Sequence, residues 1–227
     1  MKLDTKRTVL VGFAFLSICA FWQMYDSVVP LILTKTFHMN ETFSGAIMAA
    51  DNILALFLLP FFGSVSDKSH TKIGKRMPFI LFGTGCAIIL MNILPIIDNS
   101  YAAAPSTFKT VSFAVVLGLL LVAMGTYRSP AVALMPDITP KPLRSKGNAI
   151  INLMGALGGV IYLGVAAVMY PNSKVAGLAH VNYQPLFIVV ASIMFVAVAI
   201  LFLTIKEPKL IEEQRKLEAE HPEWNLA

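Results

Sequence analysis

The sequence predicts an all-α integral membrane protein, a bundle of six transmembrane helices. Of its 227 residues, 56% are hydrophobic and only 14% are charged, and the mean hydropathy is +0.71. A soluble domain averages about 25% charged residues. Six apolar runs of about 18 to 27 residues, each interrupted by at most one charged residue, are long enough to cross ~30 Å of hydrocarbon.

These runs divide the chain into a six-helix transmembrane bundle, residues 1–206, and a terminal segment, 207–227. The terminal segment is rich in Glu and Lys and predicts either a cytoplasmic linker or an interfacial helix that begins near Pro208. We do not expect the first run to be a cleaved signal peptide, because it is too long and carries polar residues at depth. The predicted helices are at about 8–36, 42–66, 77–97, 108–137, 148–170 and 185–206.

The distribution of Lys and Arg predicts the orientation of the bundle. With six crossings, 14 of the 18 cations fall on the side of the chain termini, three fall on the other side and Arg128 lies within a span. Because cytoplasmic loops attract Lys and Arg, we expect both termini to be cytoplasmic. This asymmetry also explains the net charge of +5 without a nucleic-acid partner.

The loop after the second predicted helix carries a spaced motif in the stretch GSVSDKSHTKIGKRMPF. It resembles the loop signature of the major facilitator superfamily, G-x-x-x-D-[RK]-x-G-[RK]-[RK], with four additional residues in its centre. Together with Asp137 and Arg144 in PDITPKPLRSKGNAIINLMGALGG, this long form is similar to the sugar–cation symporter branch, which includes glycoside–pentoside–hexuronide carriers and sucrose–proton symporters. The motif residues are Gly63, Asp67, Lys68, Gly74, Lys75 and Arg76.

This resemblance implies a fold, an activity and a set of partners. The chain would be the N-terminal six-helix half of a major facilitator fold, a 3+3 inverted repeat that needs a second six-helix half. It would be a secondary active sugar:proton symporter, and no enzyme, that works by alternating access in the cell membrane. Gly63, Asp67, Gly74, Lys75, Arg76, Asp137 and Arg144 would form its cytoplasmic gate.

The gate also has a physical rationale. Asp67 can pair with Arg76, or it can accept hydrogen bonds from the N-terminus of a facing helix, where the helix dipole favours an anion. The alternative is a simple capped turn whose cations only set the topology.

The first predicted helix carries candidate sugar-binding residues in FWQMYDSVVP. Gln23 and Asp26 are three residues apart and share one helix face, which Trp22 and Tyr25 flank. Aromatic rings can cover the C–H faces of a sugar while the amide and carboxylate bind its hydroxyls. The alternative is a polar helix–helix contact with interfacial aromatic residues.

Asp51 and Asn52 lie near the middle of the second predicted helix. Ionisable residues within hydrocarbon are functional candidates by default, and protonation of Asp26 or Asp51 would cancel a buried charge and couple proton movement to transport. Melibiose-type relatives have sodium-site aspartates one and two turns further along this helix, where this chain has Ala55 and Leu59. The resemblance therefore favours a proton over sodium, although Asp51 can instead serve a structural salt bridge or helix contact.

Arg128 and Asn152 complete the candidate sugar-binding residues. Arg128 stays charged and needs a counter-ion, for which Asp26 or Asp51 would serve, although we expect an axial offset of roughly 12 Å from the 1.5 Å rise per residue. A water-filled cavity, or a side chain that reaches toward the cytoplasm, would accommodate this offset. Asn152 shares a face with Gly155 and Gly159, and either contacts ligand or bonds another helix.

We expect no cofactor or metal, because no ligand cluster, nucleophile–base pair or phosphate loop appears in the sequence. Two other functions remain open. The chain can be a half-size carrier that works as a homodimer, or a six-helix membrane scaffold or receptor that transports nothing.

Overall fold

The structure, a computed structural model, describes residues 3–225, apart from the side chains of residues 223 and 225. The described chain is helical throughout its regular elements, and six helices are long and apolar enough to cross a membrane. The helices are α1 (Thr5–Leu31, continued by the π-helical turn Ile32–Thr36), α2 (Glu41–Lys68), α3 (Met77–Ala103), α4 (Thr107–Ile138), α5 (Arg144–Met169, after the 3₁₀ turn Lys141–Leu143), α6 (Asn172–Val175), α7 (Gln184–Thr204) and α8 (Glu207–Glu220), with a last 3₁₀ turn at Pro222–Asn225.

Local capping fixes several helix starts. The Asp4 side chain accepts a hydrogen bond from the Arg7 N–H (3.0 Å) and the Asn40 side chain accepts one from the Thr42 N–H (2.9 Å). Pro78 and Pro185 occupy the first turns of α3 and α7, where a missing N–H removes no helical bond. The helices therefore start close to where the apolar runs begin.

Helix α1 lies at the centre of the bundle. It packs against α5 and α7 and more lightly against α4, while α3 packs against α4 and α7. The core between these helices contains large side chains with at most 1% of their surface exposed, among them Phe21, Met24, Tyr127, Phe187 and Met194. The functional candidates on α1 are therefore held by helices on several sides.

Helices α2 and α5 present large apolar side chains outward. On α2, Leu56 and Phe57 are 69% and 68% exposed, and on α5, Leu153 is 71% exposed. Such large apolar faces are unfavourable in water. They are stable when they contact lipid or further helices. The bundle is thus a membrane-embedded unit with two largely uncovered helices.

Helix α3 extends to Ala103, beyond the predicted position 97. Polar residues near this end of α3 face the loop that precedes α7. His180 Nε2 lies 2.8 Å from Asn99 Oδ1 and 3.9 Å from a carboxylate oxygen of the fully buried Asp98. His180 Nδ1 lies 3.2 Å from Thr36 Oγ1, so the loop before α7 is tied to the ends of α1 and α3.

The terminal segment forms helix α8 over most of its described length, which favours the helical alternative over a flexible linker. Its Leu210 and Gln214 are buried, and α8 packs on α4. Ion pairs join Arg7 to Glu213 (3.6 Å) and Arg144 to Glu218 (3.8 Å). Residues 226 and 227 lie outside the described residues.

We call the end of the bundle that carries α8 and the loops 69–76 and 139–143 the basic end. Three cations, Lys35, Lys109 and Lys174, belong to the opposite end. The described cations of the basic end are Lys6, Arg7, Lys68, Lys72, Lys75, Arg76, Lys141, Arg144, Lys146, Lys206, Lys209, Arg215 and Lys216.

Candidate functional site

A narrow cleft opens between α1, α2 and α4 within the membrane-spanning part of the bundle. Helices α2 and α4 come close together at its wall, since a Cβ on Gly125 would lie 3.2 Å from Leu58 Cβ. The Ser129 hydroxyl donates a hydrogen bond to the Leu59 carbonyl (2.7 Å), which fixes the same contact. The cleft is lined by Trp22, Asp51, Leu54, Ala55, Leu58, Leu59, Leu121, Gly125 and Arg128.

Arg128 extends from α4 into this cleft and reaches α1. Its guanidinium carbon lies 5.6 Å from the centre of the Trp22 ring, a cation–π distance. The preceding Tyr127 is fully buried, and its hydroxyl lies 2.6 Å from Ser17 Oγ and 3.0 Å from the Ala14 carbonyl. These bonds to α1 anchor α4 at the position from which Arg128 projects.

Three buried polar atoms beside the cleft lack a hydrogen-bond partner in the described part of the chain. They are Trp22 Nε1, the Tyr25 hydroxyl and one carboxylate oxygen of Asp51. The Trp22 and Tyr25 rings are themselves in edge contact, with centroids 5.3 Å apart. Because buried polar groups in native proteins are nearly always paired, these atoms indicate a place for water or a polar ligand.

The cleft also concentrates charge. The Arg128 guanidinium and the Asp51 carboxylate both belong to side chains that line it. No carboxylate of the described residues comes within the 4.0 Å ion-pair distance of Arg128. Arg128 and Asp51 nevertheless line the same cleft.

The other predicted sugar-binding residues lie elsewhere. Gln23 is half-buried and faces α5, where its Oε1 would be 3.7 Å from a Cβ on Gly159. Asp26, Asn52 and Asn152 are exposed and do not line the cleft. Since α1 and α5 run in the same direction, Asn152 lies about 10 Å nearer the basic end than Gln23, at 1.5 Å per residue.

At the basic end, the predicted gate residues form a hydrogen-bonded cluster around Arg76. The Arg76 side chain is only 5% exposed and bonds the Asp67 carboxylate, Asp137 Oδ2 (2.9 Å) and the Gly63 carbonyl (3.3 Å). Lys75 Nζ adds a 3.0 Å contact to Asp137. Of the two pairings considered for Asp67, the structure thus contains the one with Arg76.

Arg144 does not join this cluster. Its Nε donates to the Thr139 carbonyl (3.2 Å) and its guanidinium faces Glu218 on α8. The structure therefore separates Arg144 from the other six predicted gate residues, because its side chain turns toward the terminal helix.

Glu207, at the start of α8, is a central member of the basic end that the sequence reasoning missed. Its carboxylate is fully buried and accepts hydrogen bonds from the backbone N–H groups of Lys75, Arg76 and Met77, at 2.9 to 3.1 Å. It thereby caps the N-terminus of α3, where a helix favours an anion. A Glu before Pro208 just after an apolar run was the only signal, and it does not reveal a partner 130 residues away.

The buried position of Glu207 explains why residue 74 is a glycine, and it also shifts the pKa of the Glu207 carboxyl. Gly74 has φ +119°, and a Cβ there would lie 2.2 Å from Glu207 Oε2, so both backbone conformation and space require glycine. Burial raises the pKa of the Glu207 carboxyl above its usual range, and the three N–H groups only partly oppose this rise.

The chemistry of the cleft suits recognition more than reaction. It combines a cation, a carboxylate, an indole N–H and aromatic surface, which are donors, acceptors and rings that a polyhydroxylated ligand can use. No three His, Cys, Asp or Glu side chains of the described chain are grouped so that they can hold a metal ion.

Comparison with known proteins gives the family. The chain is 32% identical over 154 residues to Sucrose transport protein SUC3 of Arabidopsis thaliana, covering 62% of this chain and 25% of that protein. It is also 32% identical over 154 residues to Sucrose transport protein SUT3 of Oryza sativa subsp. indica, covering 62% of this chain and 30% of the relative. The chain thus matches less than a third of the length of these relatives. The profile of the Major Facilitator Superfamily matches residues 11–226, nearly the whole chain. The chain belongs to the Major Facilitator Superfamily, a family of membrane carriers rather than enzymes.

Proposed function

We propose that this chain is the N-terminal six-helix half of a secondary active sugar:proton symporter that works by alternating access. The observation that carries the proposal is the cleft that Arg128, Trp22 and Asp51 line. Three buried polar atoms beside it have no hydrogen-bond partner in the described chain. The sucrose transport proteins among its relatives support a sugar as substrate.

The sugar would bind against the face of α1 that carries Trp22 and Tyr25. The Trp22 N–H, the Tyr25 hydroxyl and Asp51 would exchange hydrogen bonds with sugar hydroxyls, and Arg128 would supply donors from α4. Gln23, Asp26, Asn52 and Asn152 would complete the site only when a second six-helix half covers the bundle. Their half-buried or exposed positions fit that role.

Asp51 is our first choice for the proton-coupling residue, and Asp26 is the second. Asp51 lies in the cleft near Arg128, so its protonation would change how both groups interact with sugar. Ala55 and Leu59, which stand where melibiose-type carriers have sodium-site aspartates, are apolar residues of the cleft wall. The apolar side chains at these two positions offer no sodium ligands, which favours the proton.

The basic end would face the cytoplasm, since its cations greatly outnumber the three at the opposite end. The cluster of Arg76, Asp67 and Asp137 would then be part of the cytoplasmic gate. In alternating access it would help hold the cytoplasmic side in one of two arrangements of the bundles.

Equilibrium dialysis of radiolabelled sucrose against the purified chain in lipid nanodiscs tests the binding site. The wild-type chain should bind sucrose, and Trp22→Ala should weaken binding at least tenfold. Trp224→Ala is the matched control, since Trp224 stacks on His221 outside the bundle, and it should leave affinity unchanged. Equal binding by wild type and Trp22→Ala, or none by wild type, would contradict the proposal.

Reconstitution tests the need for a second half. The purified chain, held monomeric at a high lipid-to-protein ratio in liposomes, should bind sucrose but not transport it. Uptake by the monomer would refute alternating access between two six-helix halves. Uptake that appears only with a crosslinked symmetric dimer would identify a half-size carrier instead.

A further inference from the structure

We propose that a groove at the basic end binds the headgroup of an anionic phospholipid. The groove lies between the start of α3 and the junction of α7 and α8. Its volume is about 260 Å³, several times that of one water molecule. Its walls include three lysines, Lys72, Lys206 and Lys209, and the apolar residues Ile73, Met77 and Phe202.

The three lysines are exposed and carry unbalanced charge. No carboxylate of the described chain comes within 4.0 Å of their ammonium groups, in contrast to Lys75, which pairs with Asp67 and Asp137. The nearby Glu207 carboxylate is turned inward and bound to the start of α3. Basic pockets at the ends of membrane helices suit anionic headgroups in this way.

The apolar surface beside the lysines fits an acyl chain. Phe202 belongs to the groove, and Phe195, two helical turns away on the same face of α7, is 65% exposed. Leu203 is 68% exposed next to Phe202. This apolar strip ends at the lysines, so a lipid tail along α7 would place its phosphate among them. A soluble phosphate compound would not use the strip, which favours a lipid as the occupant.

A second groove reinforces the positive potential. Lys206 and Lys209 also line a depression of about 280 Å³ on the α1 side, together with Lys6. Its Arg7 is already paired with Asp4 (3.5 Å) and Glu213 (3.6 Å), so the unpaired charge there lies on the lysines. Lys206 and Lys209 therefore stand at the centre of the basic surface.

Native mass spectrometry of the purified chain in neutral detergent tests the site. The chain is titrated with dioleoylphosphatidylglycerol or dioleoylphosphatidylcholine, which differ in headgroup charge. We expect at least tenfold tighter binding of the phosphatidylglycerol, since each lysine near an anionic lipid contributes about fivefold. The triple variant Lys72→Gln, Lys206→Gln, Lys209→Gln should lose this preference.

The control variant Lys146→Gln, Arg215→Gln, Lys216→Gln removes the same charge from the same end but outside the groove, and it should keep the preference. If the triple variant does not fold, Lys72→Gln alone should reduce the preference several-fold. Equal binding of both lipids by the wild-type chain, or a loss as large in the control, would overturn the proposal. Displacement of bound phosphatidylglycerol by millimolar glycerol 3-phosphate, as effective as displacement by the lipid itself, would also overturn the proposal. The site would then need only a phosphate group and not a lipid.

Discussion

At the scale of single residues, the decisive group is Asp51. It shares a cleft with Arg128 and Trp22, and one of its carboxylate oxygens is buried without a partner in the described chain. A carboxyl group in such a place must either pair with a nearby cation or be protonated. The single side chain thus links the binding site to the proposed coupling ion.

We therefore expect Asp51→Asn to abolish the pH dependence of sucrose binding. Asparagine has the shape of a protonated aspartic acid but cannot release a proton, so affinity should stay constant between pH 5 and pH 8. The affinity of the wild-type chain for sucrose should instead change with pH, because an Asp51 that couples proton movement to sugar binding must gain and lose a proton. Dialysis across pH measures this, with Asp26→Asn as the comparison. A pH dependence that survives Asp51→Asn and disappears with Asp26→Asn would assign coupling to Asp26.

Glu207 provides a second titration at the residue scale. Because burial raises its pKa in the folded chain, the proton is bound more tightly there than in the unfolded chain. By linkage, the tighter proton binding stabilises the folded chain. This stabilisation is complete below the ordinary glutamate pKa of 4.5 and is lost as pH rises through the higher pKa of the folded chain.

The corresponding experiment compares thermal unfolding of the wild-type chain and Glu207→Gln in detergent between pH 4 and pH 8. Glutamine does not titrate, so the melting temperature of the wild type should decline relative to the variant as pH increases. Parallel curves for the two proteins would show that Glu207 does not titrate as its burial requires.

At the scale of elements, the contact between α1 and α5 depends on small residues. A Cβ on Gly158 would lie 2.0 Å from the backbone oxygen of Leu16, and one on Gly155 would lie 2.9 Å from Cys19 Sγ. Close helix packing of this kind is a main source of stability in lipid. Among the glycines of α5, Gly158 makes the closest approach to α1.

Gly158→Ala should therefore destabilise the bundle by about 1–3 kcal/mol, the usual cost of overpacking. Gly164→Ala is the matched control on the same helix, since a Cβ there meets nothing within 4 Å. Unfolding in detergent monitored by circular dichroism measures both. A control that is destabilised as much as Gly158→Ala would mean that the α1–α5 contact is not the cause.

At the scale of the whole molecule, the sequence specifies the bundle because membrane insertion follows from local properties. Run length marks each span, and the loop from Gly63 to Arg76 resembles the signature of the family. The pairing of Arg76 with Asp67 also followed, since both residues belong to one short loop. Fold class and family could therefore be derived before any coordinates.

Contacts between distant elements could not be derived in the same way. Glu207 caps α3 across some 130 residues, and Arg128 on α4 reaches Trp22 on α1, which is also distant in sequence. Helix periodicity gives the face on which a residue lies, but not the neighbour opposite that face. For this reason the sequence could not show that Asn52 and Asn152 lie outside the cleft.

The central claim is that the cleft between α1, α2 and α4, which has a volume of about 10 Å³ in this structure, is wet and opens further to take sugar. Leu54→Cys, in a chain whose Cys19 and Cys86 are replaced by serine, places a thiol on the cleft wall. Val196→Cys places one on the exposed apolar face of α7. Methanethiosulfonate reagents react with the thiolate, which forms in water and not in hydrocarbon. We predict rapid labelling of Leu54→Cys that sucrose slows, and little labelling of Val196→Cys. A thiol at position 54 that is as unreactive as that at position 196, or that sucrose does not protect, would contradict the account.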